Sequence, residues 1–177
     1  MTGLQNPSYN RLIDETMEEI RNLSHNLMPE VVVKFGLKEA LQQFISHTGH
    51  GKGVRIDYQF VGQESGISPE TAMHSYRIVQ ELVNNCLKHS EASEIIVQLI
   101  ANEGVLSIAV EDNGKGFEIN MTGKNPDQEG IGLSNIENRI TFLQGNFDIH
   151  SSTDSGTSIN IEIPLKKHQN DTTGHNR

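Results

Sequence analysis

The sequence predicts an α+β domain in which helices cover one face of a sheet. Two observations lead to this prediction. Strand patterns, in which apolar and polar residues alternate, occur as one single strand and two hairpins. Helix patterns, in which apolar residues recur every three or four positions, lie between these groups of strands. Because the helices do not alternate with single strands, the order favours an α+β layer over a doubly wound parallel sheet.

The first predicted helix runs from Tyr9 to Met28 and ends at Pro29. Its apolar residues form one narrow stripe: Ile13, Met17, Ile20, Leu23 and Leu27. Such a stripe needs an apolar partner, which is either a helix of the same or a second chain or the surface of the helix's own domain. The pattern alone leaves these possibilities open.

The domain begins with a second predicted helix after Gly36 and a strand from Val54 to Phe60. Ser68-Pro69-Glu70 starts a third helix, because Ser caps helix N-termini and Pro is favoured at the first helical position. We expect this helix to end near His89 and Ser90.

The first hairpin joins strands over 95–100 and 105–110 through Asn102-Glu103-Gly104. A long Gly-rich polar loop, 113–130, follows it. Its composition supplies few buried contacts, so we expect it to be mobile without a ligand.

A fourth predicted helix covers 133–143, and Gly145 closes it in the manner of a C-terminal cap. The second hairpin covers 147–163 and turns at Asp154-Ser155-Gly156. Pro164 ends the last strand, because proline cannot donate to the ladder. The polar tail, 166–177, is expected to be frayed.

Composition excludes several classes of function. The 177 residues include 14 Lys and Arg against 23 Asp and Glu, a formal charge of −9, which argues against nucleic acid or an anionic membrane as the main partner. Cys86 is the only cysteine, so an internal disulfide and a Cys-based zinc site are excluded. No apolar run is long enough to span a bilayer and no signal peptide is readable, so we expect a soluble chain in the reducing cytoplasm.

Four groups of residues have a composition suited to chemistry. In the third helix, Glu81, Asn85 and His89 recur at intervals of four, with Lys88 beside His89. A carboxylate, an amide, an ammonium and an imidazole in line are suited to a magnesium ion and the phosphates it bridges. The alternative is an ordinary solvated helix face.

The second group, Glu111 to Phe117, lies where an apolar strand enters the polar loop. Its glycines suit either a carboxylate exposed at the mouth of a cleft or a simple Asn-Gly turn. In the third, Gly130-Ile131-Gly132-Leu133, a glycine pair opens a helix, the geometry in which free N–H groups receive a phosphate. The fourth, Gly156-Thr157-Ser158, places a hydroxyl at the start of the last strand.

In this order the four groups resemble the N, G1, G2 and final Gly-Thr boxes of the GHKL (HATPase_c) superfamily of ATP-binding domains. The resemblance extends from Ile20 to Leu165 and is greatest to sensor histidine kinases with short ATP lids that are paired with LuxR-type response regulators. It implies a two-layer α/β sandwich with a mixed, mainly antiparallel sheet. It also implies three segments: the end of a dimerisation and phosphoacceptor hairpin over 1–35, the ATP-binding catalytic domain over 36–165, and the tail.

The resemblance also implies roles for single residues, with Mg-ATP as the ligand. Asp112 would accept a hydrogen bond from the adenine amino group, Thr157 would support the adenine, and Gly114 and Gly116 would allow its close approach. Asn85 would bind magnesium, and Glu81, the catalytic candidate, would orient water or the metal's outer ligands.

Phosphate-facing roles follow for Lys88 and His89 and for the lid residues Gly130, Gly132 and Leu133. Arg139 matches a family arginine whose role, structural or phosphate-facing, stays open.

The predicted helix that ends before Pro29 resembles the second helix of the family's dimerisation hairpin. The family's acceptor histidine lies on the preceding helix and is followed by an acidic residue. Residues 1–22 contain no such pair. His25 is followed by Asn26, an amide that cannot take the proton lost on phosphorylation, so His25 is not expected to be the acceptor. We therefore expect a fragment of a homodimeric kinase that acts on a separate acceptor segment, with a response regulator as a further partner. The alternatives are an anti-sigma-type serine kinase and a catalytically silent ATP-dependent binding module.

Overall fold

A computed structural model describes residues 30–48, 53–102, 104–118 and 131–165. The predicted helix 9–28, His25, Gly130 and the tail lie outside the described residues. The helices are α1 (Glu30–Thr48), α2 (Pro69–Asn85) and α3 (Ile131–Phe142), with a 3₁₀ turn at Glu64–Gly66 and a π turn at Cys86–Ser90. The strands are β1 (Arg55–Gly62), β2 (Glu94–Asn102), β3 (Val105–Asp112), β4 (Asn146–Ser151) and β5 (Thr157–Pro164).

The five strands form one mixed sheet in the order β1-β2-β3-β5-β4. Only β1 and β2 pair in parallel, and the other three pairs are antiparallel. The predicted α+β sandwich with a mixed, mainly antiparallel sheet is therefore confirmed. The register places Asp112 of β3 opposite Thr157 of β5, so two of the predicted site residues are neighbours at one end of the sheet.

One face of the sheet packs on the helices and forms the core. The alternating residues of β2, β3 and β5 that point to this face are buried: Ile95, Val97, Leu99, Leu106, Ile108, Val110, Ile159, Ile161 and Ile163. Helix α2 contributes Ile78, Val79, Leu82 and Val83, which are also buried. Because strands alternate with a period of two, the opposite face presents mainly polar side chains, together with the exposed Ile96 and Ile100. Within the described ranges, no helix has both the length and the apolar character needed to cross a membrane.

Helix α1 begins earlier than predicted and bends at Gly36, whose φ of 83° and ψ of 174° are not helical. The Glu64 carboxylate accepts a hydrogen bond from the backbone N–H of Lys38 at 2.7 Å, which satisfies a donor in the first turn after the bend. The cap therefore comes from a residue 26 positions along the chain. This explains why the local sequence did not predict it.

Helix α2 starts as predicted, with Ser68 as the N-cap and Pro69 at its first position. The Ser68 side chain accepts from the Thr71 N–H at 3.1 Å. Its end differs from a regular α-helix, because residues 86–90 form a π turn. The Ser90 hydroxyl donates to the carbonyl of Cys86 at 2.7 Å across this wider turn.

The C-terminal end of α3 corrects one detail of the prediction. The left-handed residue is Gln144, with φ 56°, rather than Gly145. The N–H groups of Gln144 and Gly145 donate to the carbonyls of Thr141 and Ile140, which is the Schellman arrangement. Gly145 follows the left-handed position, where a Cβ would lie 2.6 Å from the Glu162 carbonyl oxygen. A close approach to β5, and not the backbone angle, explains this glycine.

The turn between β4 and β5 brings backbone atoms against the end of β3. Gly156 has φ 74°, and a Cβ on this residue would overlap the carbonyl oxygen of Asp112. Gly53 has a similar φ of 70°, but nothing lies within 4 Å of the position its Cβ would occupy. The two glycines thus differ in their surroundings and share a conformation.

We predict that Gly156→Ala lowers the free energy of unfolding more than Gly53→Ala does. Both variants carry the left-handed penalty of about 1–2 kcal/mol. Only Gly156→Ala adds a steric overlap, which typically costs a further ~1–3 kcal/mol. Urea denaturation of the two variants measures the difference. Equal losses would show that the turn can move away from Asp112.

Candidate functional site

Asp112 is a carboxylate on the core face of the sheet. It follows Leu106, Ile108 and Val110 at the same period of two, and it is only 9% exposed. Burying a carboxylate is costly unless hydrogen bonds compensate it. Its partners are therefore the first question about this site.

Each carboxylate oxygen of Asp112 has a donor within the protein. Oδ1 accepts from the Gly114 N–H at 2.9 Å, and Oδ2 accepts from the Cys86 thiol at 3.5 Å. Burial, and then the charge of Asp112, raises the pKa of the Cys86 thiol well above its ordinary value. The thiol thus keeps its proton and remains a donor. A carboxylate has about four lone-pair sites, so these two bonds leave sites for a ligand.

The backbone of Gly114, two residues after Asp112, packs against the end of the π turn. A Cβ on Gly114 would overlap the carbonyl oxygen of Ser90. The same carbonyl accepts from the Lys115 N–H at 2.8 Å. The absence of a side chain at Gly114 therefore serves contacts within the protein.

The Asn113 side chain links the loop after β3 to the start of β2 by hydrogen bonds. Its Oδ1 accepts from the backbone N–H groups of Ser93 and Glu94, both at 3.0 Å. Neither Asn113 nor Gly114 has a positive φ, and β3 does not return as a hairpin at this point. The simple Asn-Gly turn is therefore wrong, because a type I′ turn needs positive φ at both residues.

Gly116 connects the same loop to the turn between β4 and β5. Its φ is 59°, and a Cβ would overlap the carbonyl oxygen of Ser152. The next N–H, that of Phe117, donates to the Ser151 hydroxyl at 2.9 Å. Here too the glycine permits protein segments to approach each other. Its predicted contact with an adenine stays a prediction.

Thr157 lies beside Asp112 in the sheet register, and its hydroxyl is 3.1 Å from the Ser151 hydroxyl. Asp112 and Thr157 line an open depression of about 470 Å³ at the end of β3, β4 and β5. Its other lining residues are mostly small and polar: Glu111, Ile149, His150, Ser151, Ser152, Ser155, Gly156 and Ser158. The structure thus brings together the G1-like and Gly-Thr residues.

The described residues Glu81, Asn85, Lys88 and His89, predicted to bind the metal or face the phosphates, do not line this depression. Glu81 and Asn85 are half-buried in the last turns of α2, whereas Lys88 and His89 are exposed in the π turn. His89 lies in the π turn, whereas Glu81 and Asn85 lie in the α-helix before it. The described ranges contain no cluster of three His, Cys, Asp or Glu side chains suited to a metal. A magnesium ion held by one amide oxygen and phosphate oxygens fits this donor set better than an all-protein cage.

Of the two G2-like glycines, the structure describes the backbone of Gly132. Gly132 and Leu133 lie in the first turn of α3, which begins at Ile131. The first N–H groups of a helix lack intrahelical partners and favour anions.

Arg139 joins α3 to α2. Its Nη1 lies 3.4 Å from Nδ1 of His74, whose ring packs on Phe142 with 4.8 Å between centroids. Burial lowers the pKa of Arg139, and the charge of Glu81 opposes this shift. Burial and the charge of Arg139 lower the pKa of His74, so a neutral imidazole accepts here. These contacts favour a structural role for Arg139.

The sequence analysis missed two members of the site. Ser90 and Ser151 accept backbone N–H groups of the loop after β3, through a carbonyl and a hydroxyl respectively. Ser90 follows the Lys-His pair directly, but nothing in its spacing indicates that its carbonyl meets a loop 25 residues away. Ser151 stands opposite Thr157 on β4, so the hairpin register was the one available signal.

Comparisons with known proteins agree with this geometry. Residues 70–167 match the family model of histidine kinase-, DNA gyrase B-, and HSP90-like ATPases, HATPase_c. The sensor histidine kinase MctS of Rhizobium johnstonii is 32% identical over 152 residues, covering 86% of this chain and 32% of MctS. The histidine-protein kinase/phosphatase DegS of Bacillus subtilis is 30% identical over 169 residues, covering 86% of this chain and 44% of DegS. The chain thus spans less than half the length of these relatives.

A solved structure is also similar. The histidine kinase domain of the EL346 blue-light activated histidine kinase from Erythrobacter litoralis superposes with a TM-score of 0.58 at 25% identity. The match covers 73% of this chain and 61% of that one. The family model matches more than half of the residues of this chain, and the chain therefore belongs to the histidine kinase-, DNA gyrase B- and HSP90-like ATPase family.

Proposed function

We propose that this chain is the ATP-binding catalytic domain of a sensor histidine kinase. In this role it positions Mg-ATP for transfer of the γ-phosphoryl group to a histidine on a dimerisation segment, within two-component signal transduction. The observation that carries the proposal is Asp112, a buried carboxylate with both oxygens oriented, at the wall of an open depression beside Thr157. The family match and the histidine kinase names of the relatives support it.

Asp112 selects the base in this proposal. A carboxylate accepts from the exocyclic amino group of adenine, whereas the oxo group of guanine or hypoxanthine would face it with another acceptor. Thr157 supplies a hydroxyl next to it, already oriented by Ser151. Ionised acceptors make the stronger class of hydrogen bond, so one such contact gives both affinity and selection.

The phosphates lie towards the end of α2 in this proposal, with Lys88 and His89 facing them. Gly132 and Leu133, together with Gly130, approach them through backbone N–H groups at the start of α3. Asn85 is the amide that would hold magnesium, which when bound offsets the charge of the phosphates. Glu81, one turn before Asn85, is the carboxylate proposed to orient water or the metal's outer ligands. Phosphoryl transfer depends mainly on such positioning and charge compensation.

The proposed partners are a dimerisation segment that carries the acceptor histidine and a response regulator of the same system. The kinase is proposed to act as a homodimer in the cytoplasm, where the single cysteine stays reduced. The acidic net charge speaks against nucleic acid as a partner. A serine kinase or a silent ATP-dependent module on the same scaffold remains as the competing outcome of the transfer experiment below.

Asp112→Asn is expected to weaken ATP binding by at least tenfold with little loss of stability. The amide replaces a charge-assisted bond worth about 1.5–3 kcal/mol. Isothermal titration measures the affinity. Glu162→Gln is the control, since it removes an exposed carboxylate of the same sheet that does not line the depression and should change ATP affinity little. Unchanged affinity in folded Asp112→Asn would contradict the adenine role.

Asn85→Ala is expected to reduce the magnesium-dependent part of ATP affinity and to leave adenosine binding nearly intact. The substitution removes the amide oxygen, so the metal would keep only its phosphate and water ligands. Titrations with ATP, with and without magnesium, and with adenosine test this. Asn84→Ala, the adjacent and also half-buried asparagine, is the control. An equal loss for ATP and adenosine would place Asn85 in the structure and not at the metal.

Incubation with γ-labelled ATP and a separate hairpin carrying an acceptor histidine should move label to the hairpin. The product should be acid-labile, as expected of a phosphorylated imidazole, and the chain alone should not label itself. Glu81→Gln should slow transfer, whereas Glu70→Gln, in the exposed first turn of α2, should not.

Acid-stable label would instead indicate a serine kinase. ATP binding without any transfer would favour a silent module. Label on the chain that is lost in His25→Gln would make His25 the acceptor.

A further inference from the structure

Cys86 is the one residue outside the loop after β3 whose side chain contacts the Asp112 carboxylate among the described hydrogen bonds. Its Sγ lies 3.5 Å from Oδ2, within the range of a sulfur donor. Cys86 is also the first residue of the π turn, immediately after Asn85. The thiol thus links the end of α2 directly to the carboxylate at the end of β3.

The direction of this hydrogen bond is defined. A protonated thiol donates, and an ionised carboxylate only accepts. Burial and the neighbouring Asp112 charge keep the proton on Cys86, because both disfavour a thiolate. The thiol is therefore the donor in this contact.

The two donors act on different oxygens. The Gly114 N–H belongs to the loop that follows Asp112 and contacts Oδ1, whereas the Cys86 thiol comes from the π turn after α2 and contacts Oδ2. One donor alone would leave the carboxylate free to turn about its Cβ–Cγ bond, since this terminal torsion is broad. Two donors on opposite oxygens fix that torsion.

We propose that Cys86 is a positioning residue for base selection: its thiol fixes the rotation of the Asp112 carboxylate and thereby sets how strictly the site prefers adenine to an oxo purine. This inference rests on the proposed function. An oriented carboxylate discriminates because its free acceptor sites coincide with the amino group of adenine and oppose the carbonyl of hypoxanthine. A carboxylate that rotates freely would discriminate less between adenine and hypoxanthine.

The test compares the affinities of the full chain for ATP and for inosine triphosphate, which differ at the group facing Asp112. The readout is the dissociation constant for inosine triphosphate divided by that for ATP, both measured by isothermal titration with magnesium. Cys86→Ala should lower this ratio by about three- to tenfold, the range of one net hydrogen bond. Cys86→Ser should restore much of it, because a hydroxyl also donates.

Leu87→Ala is the matched control. Leu87 neighbours Cys86 in the same π turn and packs against the core, so its truncation perturbs packing without removing a donor from Asp112. It should lower stability and leave the ratio unchanged. If Cys86→Ala does not fold, Cys86→Val, which fills the space and lacks a donor, should show the same reduced ratio.

The outcomes separate this inference from the proposed function. A ratio in Cys86→Ala equal to that of the unmodified chain, or reduced equally in Cys86→Ala and Cys86→Ser, overturns the role of the thiol while ATP binding stands. Equal binding of ATP and inosine triphosphate by the unmodified chain overturns the role of Asp112, and the role of Cys86 with it. A reduced ratio in Cys86→Ala that Cys86→Ser restores supports both.

Discussion

The structure around the site depends on one constraint, a carboxylate placed on the buried face of a sheet. Asp112 occupies a position that the alternation of β3 would otherwise fill with an apolar side chain. A buried carboxylate without partners would cost several kcal/mol, so the surrounding protein must supply donors. The thiol of Cys86 and the N–H of Gly114 meet that requirement. The π turn and the loop after β3 supply these donors, and the β4–β5 turn packs against the backbone carbonyl of Asp112.

Close backbone approach is the means by which these segments converge. Gly114 and Gly116 lie against the carbonyls of Ser90 and Ser152, and Gly156 lies against the carbonyl of Asp112 itself. A side chain at any of these positions would separate two segments that the site needs together. The glycine-rich character of this region thus has a reason within the protein. It need not be explained by the ligand alone.

The π turn connects the two halves of the site. It separates Asn85, the last α-helical residue, from the exposed Lys88 and His89, and its last residue, Ser90, anchors the loop after Asp112. Single π turns within helices are frequent at functional sites, because they redirect side chains without ending the helix. The same short segment therefore orients the charged side chains and holds the carboxylate loop. Movement of the end of α2 would therefore change the hydrogen bonds at Asp112 and in the loop after it.

The sequence by itself determined the elements and the family, because these depend on local patterns. Alternation located the strands, Ser68-Pro69 located the start of α2, and four ordered boxes predicted the candidate site. The bend at Gly36 was not predictable, since the distant Glu64 caps the helix after it, and neither the left-handed Gln144 nor the π turn was read from the sequence. Only the tertiary structure decided the strand order, which sets Asp112 beside Thr157, and the contact of Cys86 with Asp112, 26 residues apart. Pairing and burial join residues that no local period relates, and for that reason the position of Asp112 was readable from the sequence while its partners were not.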